Sequence, residues 1–226
     1  IQKQLIDRKN KTNFITQYKA KRKLIMDIDF ILKNIPDKRQ DKNTTSLVMK
    51  KDIINFCGDK YLDKKCFEIG THRGYTTRIL SFLFEKVKTV DINDDLITYA
   101  KNLNKDRDNI EYQNKDIYAK EVISSNNWWN GDDNVEKYDV FFIDAVHDKQ
   151  HVIMDINTSF EKGTDDVVLI FDDYGLFPEV KLGIDEYINN GKLKVIKYIG
   201  EPKGNEPRVG IGKKLLDWEG IICQKN

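Results

Sequence analysis

The sequence predicts a parallel α/β fold with its ligand at one rim of the sheet, and three observations predict it. From Thr45 onward helical and strand-like patterns alternate, as they do when each strand returns to one sheet through a crossover helix. A strand-like run, Cys66-Phe67-Glu68-Ile69, leads straight into a glycine turn, Gly70-Thr71-His72-Arg73-Gly74, and then into a helical segment. Two further apolar runs end in acids, Phe141-Phe142-Ile143-Asp144 and Leu169-Ile170-Phe171-Asp172-Asp173. In an open α/β sheet such strand ends share a rim, and ligands bind outside it.

Taken in order, residues 1–42 come first, with twelve Lys/Arg against five Asp/Glu, whereas the remainder holds 26 against 32. The two parts therefore do different jobs. Phe14, Ile15, Tyr18, Ile25, Ile28, Leu32 and Ile35 recur at spacings of three, four and seven, which is an amphipathic helix ended by Pro36. Its basic face, Lys19 to Lys23, reads as a solvated face on a helix that packs on the main domain, a neighbouring domain or a second subunit of a homo-oligomer. Nucleic acid is not the expected partner, because no aromatic-rich RNA-binding motif accompanies the charge. Pro36 to Thr45, rich in Asp, Lys and Asn, reads as a linker. The expected division is thus a basic helical extension with linker, 1–44, and a main domain, 45–226.

Within that domain the pattern gives a helix at 46–57, strands at 65–69, 87–92, 109–113 and 138–144, a helix at 148–161 and a strand at 166–172. A helix near 178–189 follows, then strands at 193–199 and 208–213 joined by the loop Gly200 to Pro207. No Pro interrupts the first five strands. Trp128 and Trp129, in the polar stretch Ser124 to Asn134, either line an acceptor pocket or anchor their loop.

Composition narrows the class. With 226 residues, 39% hydrophobic and 33% charged, the chain has enough apolar residues for one full core, and disorder and collagen-like repeats are excluded. The longest apolar runs, Val140 to Ile143 and Val167 to Phe171, fall far short of the roughly 20 residues that cross a bilayer. A soluble protein with no membrane partner is expected. Three cysteines, Cys57, Cys66 and Cys223, without CxxC spacing point to neither a disulfide framework nor a zinc cluster, and they fit a reducing cytoplasm. Beginning at Ile1 without Met or a signal pattern, the chain reads as trimmed or as a piece of a longer polypeptide.

The glycine turn carries the chemistry. Gly70 permits the tight turn, Gly74 permits close approach of the next helix, and the first helical amides face the ligand. Asp91 ends the second strand, in Lys88-Thr89-Val90-Asp91, about 20 residues on, where an acid accepts hydrogen bonds from ribose hydroxyls. His72 stands where a dinucleotide site has its middle glycine, and its side chain would obstruct a pyrophosphate. That argues against an NAD-linked oxidoreductase. Glu68 would repel phosphate yet suits a ligand carrying an amino group and a sulfonium, a description that S-adenosylmethionine (SAM) meets.

Glu68-Ile69-Gly70-Thr71-His72-Arg73-Gly74 followed by Asp91 resembles the class I SAM-dependent methyltransferases, whose turn reads acid-x-Gly-x-Gly-x-Gly, with His72 as the departure. The resemblance covers about 65 to 215. It implies a Rossmann-like methyltransferase fold, a mostly parallel seven-stranded sheet with a C-terminal antiparallel hairpin. It also implies SAM contacts from Glu68, Gly70, Thr71, Gly74, Asp91 and Asp144, with Asp116 near the adenine.

Asp144, Asp172 and Asp173 should converge beside that site, and three carboxylates repel one another unless protons or a cation compensate. A hard, oxygen-seeking ion such as Mg²⁺ is the simplest compensation. Asp172-Asp173-Tyr174 resembles the metal-dependent O-methyltransferases of the macrocin and sugar type, which implies that Asp144, Asp172 and Asp173 bind the metal. Asp144-Ala145-Val146-His147 departs from the Asp-Gly-Asp of that group. In catechol-type relatives a basic residue three after the metal-binding Asp takes the proton, a place that His147 occupies. His151, one turn later, is expected to be structural or exposed. The implied activity is a SAM- and divalent-metal-dependent O-methyltransferase acting on a hydroxyl of a sugar, nucleotide sugar or glycoside, with Asp144 and His147 as catalytic residues. The alternatives are a catechol-type small-molecule O-methyltransferase, an RNA methyltransferase and a non-catalytic SAM-binding scaffold.

Overall fold

A computed structural model describes residues 28–35, 44–119, 136–207 and 212–226. Seven strands form one sheet in the order β3-β2-β1-β4-β5-β7-β6. The strands are β1 (Lys65–Ile69), β2 (Lys86–Asp91), β3 (Ile110–Asn114), β4 (Tyr138–Ile143), β5 (Gly163–Phe171), β6 (Leu193–Ile199) and β7 (Gly220–Lys225). The first five run parallel, and β7 lies antiparallel to both β5 and β6. The helices are α1 (Ile28–Lys33), α2 (Leu47–Cys57), α3 (Tyr75–Leu83), α4 (Asp94–Leu103), α5 (Lys149–Lys162) and α6 (Pro178–Asn189).

The helices start where local chemistry dictates. Ser46 and Asn93 accept the N–H groups of Met49 and Leu96 to open α2 and α4, and Asp148 caps α5 through His151 N–H, each satisfying a donor that the first turn leaves without a partner. Pro178 supplies the first residue of α6, where its missing N–H costs nothing. Strand alternation then sorts the core into two layers. Phe67, Ile69, Phe141, Leu169 and Phe171 face Val152, Ile156 and Ile184 of α5 and α6. Cys66, Val87, Val140, Phe142, Val168 and Ile170 face α1, α2 and α3. The three cysteines are free and buried, and burial pushes the thiols of Cys57 and Cys223 up to about 12, which leaves them unreactive. Among the described residues no helix is long and apolar enough to cross a membrane.

The sequence reading placed the last strand at 208–213. The structure corrects this: residues 208–211 lie outside the described ones, Gly212 and Lys213 are not in a strand, and the last strand is Gly220–Lys225. A strand between β5 and β6 must be apolar on both faces, and Gly220-Ile221-Ile222-Cys223 meets that requirement. The expected helix over 14–35 is described only in its last turns. Trp128 and Trp129 lie outside the described residues, as does the basic run Lys19 to Lys23.

Those last turns are built into the core. Ile31 is fully buried and Ile35 nearly so, and both join Met49, Ile53, Leu80 and Leu83. Phe30 meets Phe82 edge-on with centroids 6.1 Å apart. Arg78 of α3 donates from Nε to the Asn34 carbonyl at 2.7 Å and makes a bidentate pair with Asp106 at 2.8 and 2.9 Å. Thr44 and Thr45 are buried as well. Ile31→Ala should therefore cost about 2–5 kcal/mol, the range for emptying a fully buried aliphatic site, read as a lowered urea midpoint at unchanged slope.

Candidate active site

The chain runs β1, β2, β3 to one side of the sheet and β4, β5 to the other, so β1 and β4 are neighbours at the point where the order reverses. Their carboxyl ends frame the candidate site. Gly70 has φ +98°, and a Cβ there would lie 1.9 Å from the carbonyl oxygen of Asp144. Gly74, at φ +76°, would place a Cβ 2.7 Å from Ala100 Cβ on α4. Both glycines thus serve contacts within the protein: one seats the turn on the end of β4, the other seats α3 on α4.

Beneath the turn Glu68 is fully buried. Its Oε2 accepts the hydroxyls of Thr77 at 2.5 Å and Thr89 at 2.6 Å. Thr71 Oγ1 lies 2.6 Å from Thr89 Oγ1; since the Thr89 proton is committed to Glu68, Thr71 is the donor. Burial drives the Glu68 carboxyl up to about 8, the two threonines oppose this, and the nearby Asp144 and Asp91 add to it. At neutral pH Glu68 is mostly uncharged.

Above the turn lies a cavity of about 400 Å³, within the size range of small-molecule sites. Gly70, Asp91, Asp116, Asp144, His147 and Asp173 line it between the apolar walls of Ile69, Val90, Ile117 and Val146. Asp91 Oδ2 accepts the N–H of His72 at 2.8 Å and Oδ1 that of Asn93 at 2.9 Å, so this carboxylate binds the glycine turn to β2 while it faces the cavity. His72 takes φ +45°, which directs its backbone N–H to Asp91. Asp116 Oδ1 accepts the N–H of Tyr118 at 2.9 Å.

At the β4–β5 end three side chains meet. His147 Nε2 lies 3.0 Å from Asp173 Oδ2 and 3.5 Å from Asp144 Oδ1, and one ligand atom from each of the three falls within 4.8 Å of the others. The imidazole stacks on Phe177 with centroids 4.3 Å apart and planes 2° from parallel. Burial disfavours its charge, but the hydrogen bonds and charges of Asp144 and Asp173 outweigh that and raise His147 to about 9. Asp173 is 1% exposed and sits at φ +61°, a strained conformation for a non-glycine residue. The turn is anchored by Tyr174, whose hydroxyl donates to Asp185 at 2.7 Å and accepts from Lys181. Lys181 also pairs with Asp217 at 3.1 Å, tying the turn to the loop between β6 and β7.

Of the residues expected at a cofactor, Gly70, Asp91, Asp116 and Asp144 line the cavity, whereas Glu68, Thr71 and Gly74 do not. Of the three expected metal ligands, Asp144 and Asp173 come together with His147, which the sequence reading kept apart as a base. Asp172 is not in the group: its Oδ1 accepts the N–H of Asp173 at 2.7 Å, and the left-handed turn at Asp173 separates the two adjacent side chains. His151 is structural, with Nδ1 2.6 Å from Asp148 Oδ2. Phe177 and Tyr118 escaped the sequence reading. Tyr118 was within reach, two residues after Asp116, whereas nothing local marks Phe177.

Residues 67–174 match the family described as a methyltransferase domain. No curated protein matches the sequence. The fold is that of the class I methyltransferases. The O-methyltransferase TomG from Streptomyces achromogenes, involved in tomaymycin synthesis and solved with SAM, superposes with a TM-score of 0.60 at 10% identity over 86% of this chain and 88% of that one. The O-methyltransferase from Bacillus cereus, solved with S-adenosylhomocysteine (SAH), gives 0.55 at 16% identity over 88% and 89%. The tRNA methyltransferase TrmI from Aquifex aeolicus gives 0.52 at 17% identity over 82% and 71%. At these identities the likeness is one of fold, and it spans different acceptors.

A folded-state pKa of about 9 for His147, above its ordinary 6.5, means that the native state holds this proton more tightly than the unfolded chain. Its stabilisation is fully present below about pH 6.5 and is lost as pH rises through about 9. Glu68 has the same sign at lower pH, losing stability from its ordinary value upward to about 8. Metal-free protein should thus melt progressively lower from pH 6.5 to 9.5. His147→Gln should flatten the upper part of that decline, as followed by circular dichroism.

Proposed function

We propose that this chain, with its class I methyltransferase fold and its match to the methyltransferase domain over 67–174, is a SAM-dependent O-methyltransferase. Its acceptor is a sugar hydroxyl held beside a divalent cation. The observation that carries this reading is the meeting of Asp144, His147 and Asp173 at one end of a cavity whose other end holds Asp91 and Asp116. The strand order puts Asp116 and Asp173 at opposite ends of the cavity, so a nucleoside seated at the β2–β3 end brings the sulfonium toward β4 and β5. Asp91 accepts the ribose hydroxyls, Asp116 keeps Oδ2 for the adenine amino group, and the apolar walls cover the base.

Two carboxylates and an imidazole with converging ligand atoms fit a divalent ion that takes oxygen and nitrogen donors. Asp144, Asp173 and His147 would hold it, and when bound it supplies Lewis-acid polarisation of the acceptor oxygen. The transfer is an in-line displacement: the acceptor oxygen attacks the methyl carbon, the C–S bond breaks to leave SAH, and the hydroxyl proton passes to a base. His147 carries its own proton at neutral pH in the present geometry. With its Nε2 lone pair given to an ion, His147 could not also take the acceptor's proton, so it serves as the base only where Asp144 and Asp173 alone hold the ion. Much of the acceleration comes from position, because the rim fixes oxygen and methyl in line.

The sugar assignment rests on the loop between β6 and β7. It is bonded to the turn that carries Asp173, through Leu216 N–H to the Gly175 carbonyl at 2.8 Å, and it exposes Lys203, Asn205, Glu206 and Lys213. A polyol needs such groups to choose one hydroxyl among several. The Phe177 ring beside His147 favours a second reading, a flat catechol-type acceptor.

Asp91→Ala should weaken SAH binding about tenfold or more, the loss of charge-assisted bonds worth roughly 1.5–3 kcal/mol. Unchanged affinity by calorimetry would remove Asp91 from the cofactor site. Labelled SAM offered with nucleotide sugars, glycosides and catechols tests the acceptor: sugar methylation is expected, and methylation of catechols alone overturns it. Exhaustive EDTA treatment should lower turnover about a hundredfold or more, and Asp173→Asn should do the same. Full turnover after chelation would leave the Asp144–His147–Asp173 group as a metal-free base.

A further inference from the structure

We infer that Asp155, which does not line the cavity, is a positioning residue that sets the cofactor's base specificity through Tyr118. This rests on the reading of the cavity as a SAM site. Asp155 projects from α5 among Val152, Ile156 and Ser159 and is fully buried. A carboxyl in such a place costs stability, and burial pushes its pKa well above the usual carboxylate range. The Tyr118 hydroxyl lies 3.0 Å from each Asp155 oxygen. A Phe packed on a Leu would bury as much surface without fixing where the ring sits. What the acid adds is direction.

Tyr118 lines the cavity two residues after Asp116 and is fixed at three points. Its hydroxyl is on Asp155. Its ring stands edge-on to His151, with centroids 4.5 Å apart and planes at 80°. Its backbone N–H donates to Asp116 Oδ1 at 2.9 Å. Fixing Tyr118 therefore fixes the Asp116 side chain, with Oδ1 turned to the backbone and Oδ2 left for a ligand. A carboxylate oxygen held there accepts from the amino group of adenine. A purine with a carbonyl in that place would set acceptor against acceptor, and a polar site left without its partner rejects an analogue strongly. A loop free to shift would lose that rejection.

The test compares SAH with S-inosylhomocysteine, which replaces the adenine amino group by a carbonyl, in calorimetry on the full chain. Wild type should prefer SAH by about a hundredfold, within the discrimination that hydrogen-bonding sites reach. Asp155→Leu should weaken SAH about tenfold and narrow the preference to about tenfold or less, whereas Asp155→Asn, whose amide oxygen still accepts the hydroxyl, should keep both within about threefold of wild type. If Asp155→Leu fails to fold, Tyr118→Phe with Asp155→Leu, which leaves no polar atom buried alone, carries the measurement. It should melt no lower than wild type and still show the narrowed preference, which a purely structural role would leave unmoved. Wild-type affinity and preference in the variant that folds would overturn the inference. Failure of the wild-type chain to bind SAH at all would overturn the cofactor reading itself, and this inference with it.

Discussion

Everything at the rim depends on how closely the ends of β1 and β4 approach. Asp144 N–H donates to the Ile69 carbonyl at 2.9 Å, Gly70 N–H donates to Val90 at 3.0 Å, and Asp172 N–H donates to Ile143 at 3.1 Å. These three bonds continue the ladder one step past the strands and hold four strand ends in step. The step is possible only because residue 70 has no side chain to meet the Asp144 carbonyl. Asp91, Asp144 and Asp173 are thereby carried on one rigid edge, where geometry set by backbone hydrogen bonds is more exact than any loop could keep.

Such an edge concentrates negative charge, and the structure relieves it in several ways. Glu68 is uncharged at neutral pH in its buried place, accepting from two threonines. Asp91 is satisfied by two backbone N–H groups. Asp144 and Asp173 share the imidazolium of His147. Each solution is local, and Asp91, Asp144 and Asp173 still line the cavity, where a cationic or hydrogen-bonding ligand can use them. The carboxylates of the rim, two of them facing the His147 imidazole, suit a cationic ligand better than a phosphate-bearing one.

The backbone strain sits in the same region. Among the described residues the non-glycine residues with positive φ are His72 and Asp173. One directs its N–H to Asp91 and the other directs its carboxyl to His147. Such strain of about 1–3 kcal/mol per residue persists because neighbouring packing over-determines it: the Tyr174–Lys181–Asp185 contacts lock the turn at Asp173, and the buried threonines lock the turn at His72.

Much of this was legible in the residues. Alternation and glycine spacing placed β1, the fifth helix's start and β6 to within a residue or two, because strand and helix periods are local properties. The acids Asp91, Asp144 and Asp173 were legible too, since a residue that ends an apolar strand must lie on the rim. What the tertiary structure alone decided is which way the ends of those strands turn. Asp172 and Asp173 are adjacent and chemically identical; a left-handed φ at the second sends one carboxyl to a backbone N–H and the other to His147. That Glu68 is enclosed by Thr77 and Thr89, and that Gly70 is pressed against the Asp144 carbonyl, are contacts between segments distant in sequence, which no local pattern displays. The seventh strand was misplaced for the same reason. Local pattern says that a segment can be a strand, but its place between β5 and β6 is fixed by pairing with residues distant in sequence.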